Sequence, residues 1–467
     1  MAERCFHKAK VAGSIPAPGT IIIMRTAIIG FGDEGKTLLA FLRKSPAFKK
    51  AGVTVLDRDP AVSRVARRMG IAARTGASYL SGLAQFDIVF RSPGVPYLTP
   101  EIQAAKKSGV AVSSQTKLFF QEISAFRAKK KSAKPVVIGV TGSKGKGTTA
   151  TLIWQMLRAA KYQAVLAGNM GKPMIGALAS AKKADYVVLE LSSFQLQDME
   201  MSPDIAVVLD IFPDHLDAHR NLAEYHAAKA QIGRFQKKSD RIFFYATNPK
   251  SARIAAKSPA KKHPVRPRQD NLRKNFDMAS AVARVCGVSN SAIEKTVRNF
   301  AGLPHRLELV RKIKSVSFYN DSAGTNPVAA AAAVLSFKEP IVLIAGGKDK
   351  GFGYAPLAAA VRKSSVGHVV LFGENREKIA RALRAVRCPV VFADALKDAL
   401  RFAYERAKEL AREKESAIVV FSPAAASFDM FKNYKDRGEK YKKAVLSLRE
   451  EKGTAMPVRR TLMSARR

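Results

Sequence analysis

Cysteine is scarce: three in 467 residues, Cys5, Cys286 and Cys388, with no pair spaced for a metal or a disulfide. That excludes a disulfide-built scaffold and a thiolate metal centre. Long apolar runs are missing too. Stretches such as "PVVIGV" (135–140) and "PIVLIAG" (340–346) are strand-sized, far short of the ~20 residues that cross a bilayer. The opening "MAERCFHKAKVAGSIPAPGTIIIMRTAIIG" has an interrupted apolar stretch that runs into a strand pattern, so it does not read as a secretory leader. Met24 is the expected natural start, with residues 1–23 an unstructured extension, and a cytoplasmic chain is expected. Acidic residues are few as well: 38 Asp and Glu face 80 Lys and Arg, a net charge of +42. Such an excess suits nucleic acid, an acidic membrane surface or anionic substrates. The basic residues are spread along the whole chain, however. They are densest in "RAKKKSAKP" (127–135), "KSPAKKHPVRPRQ" (257–269) and the tail "RRTLMSARR" (459–467). That spread favours a general surface bias over a binding device.

What is present is an alternation of apolar strand-like runs with helical patterns, which predicts α/β architecture with mostly parallel sheets. Two breaks divide it. One is "AKKKSAKP" at 128–135, and the other is "NFAGLPH" at 299–305. They predict three domains, at 24–131, 134–300 and 302–452, with a disordered basic tail over 453–467.

Four stretches carry candidate chemistry. In "AIIGFGDEGKTLLAFL" three glycines, Gly30, Gly32 and Gly35, lie between a strand and a helix, with Asp57 of "VTVLDRD" downstream. This is either a tight β–α turn of a Rossmann-like domain or a site for a pyrophosphate at a helix N-terminus. In "PVVIGVTGSKGKGTTATLIWQMLRAAK" a buried strand, a loop and a helix follow one another. The backbone N–H groups of Gly142, Ser143, Lys144, Gly145, Lys146 and Gly147 can wrap phosphate oxygens, and Lys146 can reach the β- and γ-phosphates. A hydroxyl is usual right after the lysine, as a magnesium ligand. Gly147 has none, but Thr148 and Thr149 follow at once, and Thr148 is expected to replace it; the rival reading is a plain glycine-rich turn. In "ADYVVLELSSFQL" Glu190 ends a strand before Ser192 and Ser193. It is placed to bind magnesium, unless the stretch is only a serine-capped helix start. In "IFPDHLDAHRNLAEYHAAKAQI" Asp214, His215, Asp217 and His219 cluster, with Lys229 in the following helix. This is a metal-ligating group or a polar turn.

Taken in order, "TGSKGKGTT", "GNMGKP", "LELSSFQL", "DHLDAH", "YHAAKAQI", "GLPHRLE", "NDSAGTNP", "IAGGKDKG" and "SPAAASFDMFKNYKDRG" resemble the Mur ligases, and the third and last stretches resemble the D-glutamate-adding branch. The resemblance implies a Rossmann-like N-terminal domain for a UDP-sugar, a central P-loop ATPase domain, and a Rossmann-like C-terminal domain that closes over the site. It implies ATP and Mg2+ as cofactors, UDP-N-acetylmuramoyl-L-alanine and D-glutamate as substrates, and chemistry through an acyl phosphate. No nucleic acid or membrane partner is implied, and a monomer is expected. By the same resemblance Lys146, His215 and Lys229 are catalytic, Lys229 in carbamylated form. Thr148, Glu190, His215 and Lys229 would bind metal. Asn169, Asn271 (or Asn275), Arg306 and Asp321 would contact the nucleotide. Gly32, Asp57, Arg58 and Ser92 would line the UDP pocket, with Ser192, Thr325, Lys350, Ser427 and Tyr434 also meeting substrate. Some positions depart from the family pattern. Lys144 stands for an asparagine, Gly147 for Ser or Thr, Ala323 for a lysine and Tyr434 for a phenylalanine; "KGKG" also resembles the folylpolyglutamate synthases, and the stretch 246–269 is short and basic. Two alternatives stay open: another amide ligase of this superfamily, and a nucleic-acid-binding module that retains a phosphate loop.

Overall fold

The computed structural model describes residues 24–45, 48, 52–169, 172–212, 219–267, 271–386 and 388–448. The chain divides into two compact units, residues 1–300 and 301–467. Among the described residues three sheets carry the architecture, two in the first unit and one in the second.

The first sheet has the order β3-β2-β1-β4-β5: Ala72–Thr75, Gly52–Asp57, Arg25–Ile29, Ile88–Arg91, Ala111–Ser114. Every pairing in it is parallel. The second has the order β11-β10-β9-β6-β8-β7: Lys261–Val265, Arg241–Tyr245, Ile205–Val208, Val136–Thr141, Tyr186–Glu190, Ala164–Gly168. It too is wholly parallel. The basic stretch 246–269 forms the short helix Pro249–Lys257 and the edge strand β11, whose side chains are half-buried or exposed. Lysine-rich sequence is tolerated there because an edge strand packs on one side only.

The third sheet, in the second unit, has the order β12-β13-β17-β14-β15-β16: Glu308–Ile313, Val316–Asn320, Ala417–Phe421, Ile341–Ala345, Val366–Leu371, Val390–Phe392. Only the hairpin β12–β13 is antiparallel.

Both faces of the sheets are covered, as parallel sheets with helical crossovers require. Along β14 the alternation of side chains divides the core: Ile341, Leu343 and Ala345 pack on one face, Val342 and Ile344 on the other. One core runs through both sheets of the first unit. Leu118, Phe119 and Ile123 of the helix Gln115–Lys130 and Ile175 and Leu178 of the helix Met174–Ala181 share it with Ile28, Phe90, Val187 and Leu189. A buried ion pair crosses the same boundary, Arg91 Nη2 to Asp198 Oδ1 at 3.1 Å, with Lys117 Nζ 3.7 Å from the other carboxylate oxygen. Because all strands but β12 are parallel, their C-terminal ends lie on one edge of each sheet, and Asp57, Ser92, Glu190 and Asp321 stand at or directly after such ends.

Candidate active site

The loop 142–145 leaves β6 and enters the helix Lys146–Ala159. Two glycines make its path possible. Gly142 has φ +155°, and a Cβ there would stand 2.7 Å from the Leu209 Cβ. Gly145, the helix N-cap, has φ +80°, a left-handed conformation that costs a side-chain-bearing residue energy. Ser143 is tied down on both sides: its N–H donates to Asp210 O at 2.8 Å, and its hydroxyl joins Tyr225 OH at 2.6 Å and Phe212 O at 2.9 Å. Lys144 is exposed at the tip. Lys146 Nζ folds over the loop and donates to Gly142 O at 3.0 Å and Ser143 O at 3.1 Å. An ammonium in this place lies where it can meet phosphate oxygens held by the loop and the helix N-terminus.

Gly147, Thr148 and Thr149 form the first turn of the helix. Thr149 is fully buried and its hydroxyl donates to Asn275 Oδ1 at 3.1 Å. Thr148 is half-buried, so of the two hydroxyls it is the accessible one. Of the two asparagines that sequence left open, Asn275 lies against the loop: a Cβ on Gly145 would overlap its Oδ1. Asn271 begins the same helix, Asn271–Val285.

Glu190 ends β8 beside β6 and is 3% exposed. Asn169 donates to its carboxylate through Nδ2 at 3.2 Å and to its backbone carbonyl through N–H at 3.0 Å. This juxtaposition needs Gly168 at φ +111°, where any Cβ would strike the Glu190 backbone. The serine-capped helix start is real as well. Ser192 accepts from Gln195 N–H, and Gln195 Oε1 accepts from Ser192 N–H at 3.0 Å, which commits the Ser192 hydroxyl to the cap.

Lys229 is 1% exposed, and its Nζ donates to Gly142 O at 2.8 Å, the same carbonyl that Lys146 uses. It also stands 4.9 Å from the Tyr225 ring centroid. Asp214, His215 and Asp217 lie outside the described residues. His219 is described: buried, bonded to Ser193 Oγ at 2.9 Å and to Glu224 at 2.7 Å, and stacked on Phe194. Its nitrogens are therefore engaged within the protein. Among the described residues no group of three or more His, Cys, Asp or Glu side chains could hold a metal.

In the first sheet Gly30 has φ +87°, with Ser92 close enough that a Cβ would stand 2.8 Å from the Ser92 Cβ. The Ser92 hydroxyl donates to Gly30 O at 3.0 Å. Asp57, at the end of β2, accepts from Phe31 N–H of the glycine loop at 2.7 Å and from Asp59 N–H of its own loop at 2.9 Å. Gly32 and Arg58 are exposed beside it. Glu34, in the first turn of the helix Asp33–Lys44, is held above the usual carboxylate range by burial, against a hydrogen bond from Gln195 and the Arg91 charge.

In the second unit, three loops follow β13, β14 and β17. Asp321 is 7% exposed and accepts from Ser422 Oγ at 2.6 Å. Burial pushes its carboxyl up to about 6, against the Ser422 and Leu307 N–H hydrogen bonds and the Arg306 and Arg437 charges. Arg306 is exposed, Thr325 half-buried, and Lys350 exposed with its Nζ 5.7 Å from the Phe428 ring centroid. Ser427 is buried, and Tyr434 opens the helix Tyr434–Leu446 with its carbonyl accepting from Ser322 Oγ at 2.8 Å. Thus Thr325, Lys350 and Ser427 stand on loops at one sheet edge. Sequence reading missed Ser422 and Arg437 in this region. Both lie in the stretch "SPAAASFDMFKNYKDRG" (422–438) that carried the family resemblance, and the hydroxyl directly after the buried strand β17 was a further signal for the first.

The chain matches three family patterns in sequence order: the MurD-like N-terminal domain of the Mur ligases over residues 24–114, the Mur ligase middle domain over 140–286, and the Mur ligase glutamate ligase domain over 305–424. It is similar to the UDP-N-acetylmuramoylalanine–D-glutamate ligase of Acetivibrio thermocellus, 34% identical across 91% of this chain and 96% of the relative. The ligase of the same name from Symbiobacterium thermophilum is also 34% identical, across 91% and 98%. Among solved structures, a UDP-N-acetylmuramate–alanine ligase from Thermotoga maritima superposes with a TM-score of 0.51 at 15% identity, covering 91% of this chain and 99% of that one. A folylpolyglutamate synthase from Mycobacterium tuberculosis, complexed with ADP, reaches 0.52 at 16% identity over 71% of this chain and 95% of that one, a likeness of fold alone. With a phosphate-type loop at Lys146, a buried Glu190 on the adjacent strand and these relatives along nearly its whole described length, the chain belongs to the Mur ligase family, on the branch of the D-glutamate ligases.

Proposed function

We propose that this chain is an ATP-dependent ligase that joins D-glutamate to UDP-N-acetylmuramoyl-L-alanine through an acyl phosphate, in the cytoplasmic synthesis of peptidoglycan precursors. The observation that carries this reading is the lysine–glycine loop, in which Lys146 reaches over carbonyls at a helix N-terminus while Glu190 stands buried on the neighbouring strand. The domain plan that goes with it has a Rossmann-like domain (24–131), a P-loop ATPase domain (134–300) and a Rossmann-like C-terminal domain (302–452).

A carboxylate is a poor acyl donor because its leaving group would be an oxide. Transfer of the γ-phosphoryl group makes it an acyl phosphate, which the amine of D-glutamate attacks; the nitrogen–carbon bond forms and phosphate leaves. In this reading the loop amides from Gly142 to Gly147 bind the triphosphate, and Lys146 neutralises charge on the transferring group. Asn169 and Asn275 border the nucleotide, and Arg306 and Asp321 are assigned to its phosphate and ribose.

The donor set fits magnesium: an accessible hydroxyl on Thr148 and a preoriented carboxylate on Glu190, hard oxygen ligands that leave further positions to phosphate and water. Magnesium, when bound, supplies charge neutralisation of the phosphates. His215 and a carbamylated Lys229 complete the proposed ligands; the Lys229 Nζ stands at the phosphate loop, 2.8 Å from the Gly142 carbonyl. Gly32, Asp57, Arg58 and Ser92 are assigned to the uridine diphosphate, with Ser192 near the acceptor. Thr325, Lys350, Ser427 and Tyr434 are assigned to D-glutamate, whose two carboxylates suit ammonium and hydroxyl groups.

The test is phosphate release by the purified protein with Mg2+, ATP and UDP-N-acetylmuramoyl-L-alanine, with each amino acid supplied in turn. Release should require D-glutamate; no ATP cleavage with any amino acid would overturn the reading.

A further inference from the structure

Arg437, in the helix Tyr434–Leu446, has no part in the roles above, yet it is fully buried, 0% exposed. A guanidinium taken out of water is costly unless its N–H groups find acceptors. Here they do. Nε donates to Ser322 Oγ at 3.1 Å and Nη2 to Ser322 O at 2.9 Å, while Nη1 donates to both Ala425 O and Ala426 O at 3.0 Å. Burial lowers its pKa to about 10, against support from the Asp429 and Asp321 charges, so it stays cationic at neutral pH.

The acceptors lie on two different loops, "NDSAGTN" after β13 and "SPAAAS" after β17. A third loop, after β14, presses on the same group. A Cβ on Gly347 would stand 3.1 Å from Arg437 Nη1 and overlap the Ala426 carbonyl, and Lys348 N–H donates to Ala426 O at 2.9 Å. One planar fork therefore sets the spacing of the three loops that carry Thr325, Lys350 and Ser427.

We propose that Arg437 is a positioning residue for the amino-acid pocket: its fork fixes these loops in register and its charge lies beneath the place where a dicarboxylic amino acid binds. The proposal rests on the D-glutamate reading of that pocket. Lysine keeps the charge but cannot replace a fork that serves two loops.

The test compares Arg437→Lys and Arg437→Ala with wild type. In Arg437→Lys the KM for D-glutamate should rise about tenfold, the scale of one strong polar contact, while the KM for ATP changes little. Millimolar guanidinium should lower the KM of Arg437→Ala towards wild type, and methylammonium should not. Amide hydrogen exchange of segments 320–327 and 422–430 should quicken in both variants, a readout that does not depend on the substrate's identity. Unchanged exchange, or a wild-type KM in Arg437→Lys, overturns the positioning role. Equal losses in kcat and both KM values without guanidinium rescue also overturn it, as a merely structural effect. Wild type that fails to incorporate D-glutamate while the exchange result holds would sink the functional reading and leave the loop-fixing role standing.

Discussion

Gly145→Ala tests the phosphate-loop geometry most directly. Two costs are expected. Holding alanine at φ +80° costs about 1 kcal/mol in the left-handed region. The new Cβ would overlap Asn275 Oδ1, the end of a side chain that can swing away, so the second cost is the Thr149–Asn275 hydrogen bond, about 1 kcal/mol. The sum is about 2 kcal/mol. In an Asn275→Ala background the second cost is already taken, and Gly145→Ala should cost only about 1 kcal/mol, a coupling of about 1 kcal/mol between residues in contact. The chain supplies its own probe. Trp154 is its single tryptophan, lies in the helix that follows the loop, and donates from Nε1 to Ala164 O at 2.9 Å. Urea unfolding followed by Trp154 fluorescence gives the four stabilities of the cycle by linear extrapolation. An identical cost of Gly145→Ala in both backgrounds would refute the contact, and a cost near zero in wild type would refute the left-handed loop.

Other consequences can be measured alongside it. Lys146→Ala should abolish phosphate release while leaving the urea midpoint close to wild type, since the ammonium is half-exposed and donates to the carbonyls of Gly142 and Ser143 in its own loop; a midpoint collapse would mean that the lysine is structural. Arg91→Met should destabilise the first unit by about 3–5 kcal/mol, because it strands a buried Asp198 carboxylate with only Lys117 at 3.7 Å; the double variant with Asp198→Leu should recover most of this in the same urea assay. Asp321 has a folded pKa of about 6 against an ordinary 3.8, so it favours the folded state at low pH, fully below 3.8, and that contribution is lost as pH rises through about 6. The melting temperature of wild type should therefore fall between pH 4 and 7 relative to Asp321→Asn, and parallel curves would show that the carboxyl is not held protonated by burial.

Much of the site was legible because its chemistry is local. A strand, a glycine loop and a helix start are contiguous in sequence, so the strand–loop–helix around Lys146 could be read from residues 136–159, while the bonds of Lys146 to the Gly142 and Ser143 carbonyls came from the structure. Glu190 was readable for a related reason: a carboxylate ending an apolar run in a parallel sheet must come out at the edge where the loops gather. The competing serine cap was equally local, and both are present because Ser192 and Glu190 are separated by one buried residue, Leu191. What sequence could not resolve was long-range. Asn271 and Asn275 lie one helical turn apart, and only the packing of the helix Asn271–Val285 on the loop selects Asn275.

The sequence by itself determined the alternation of strand and helix, the near absence of thiol chemistry, and the order of the glycine loop at Lys146, the strand-end carboxylate Glu190 and the loops after β13, β14 and β17, since these depend on side-chain periodicity and on contiguous spacing. Tertiary structure alone decided that the first two sheets share one core, that Asp57 at the end of β2 caps the glycine loop after β1, and that among the described residues the cations Arg91, Lys229 and Arg437 are buried. The reason is that burial and hydrogen-bond partnership are set by residues far apart in the chain, here Ser322 and Ala425 around Arg437, and no local pattern encodes which distant carbonyls will meet a given ammonium or guanidinium.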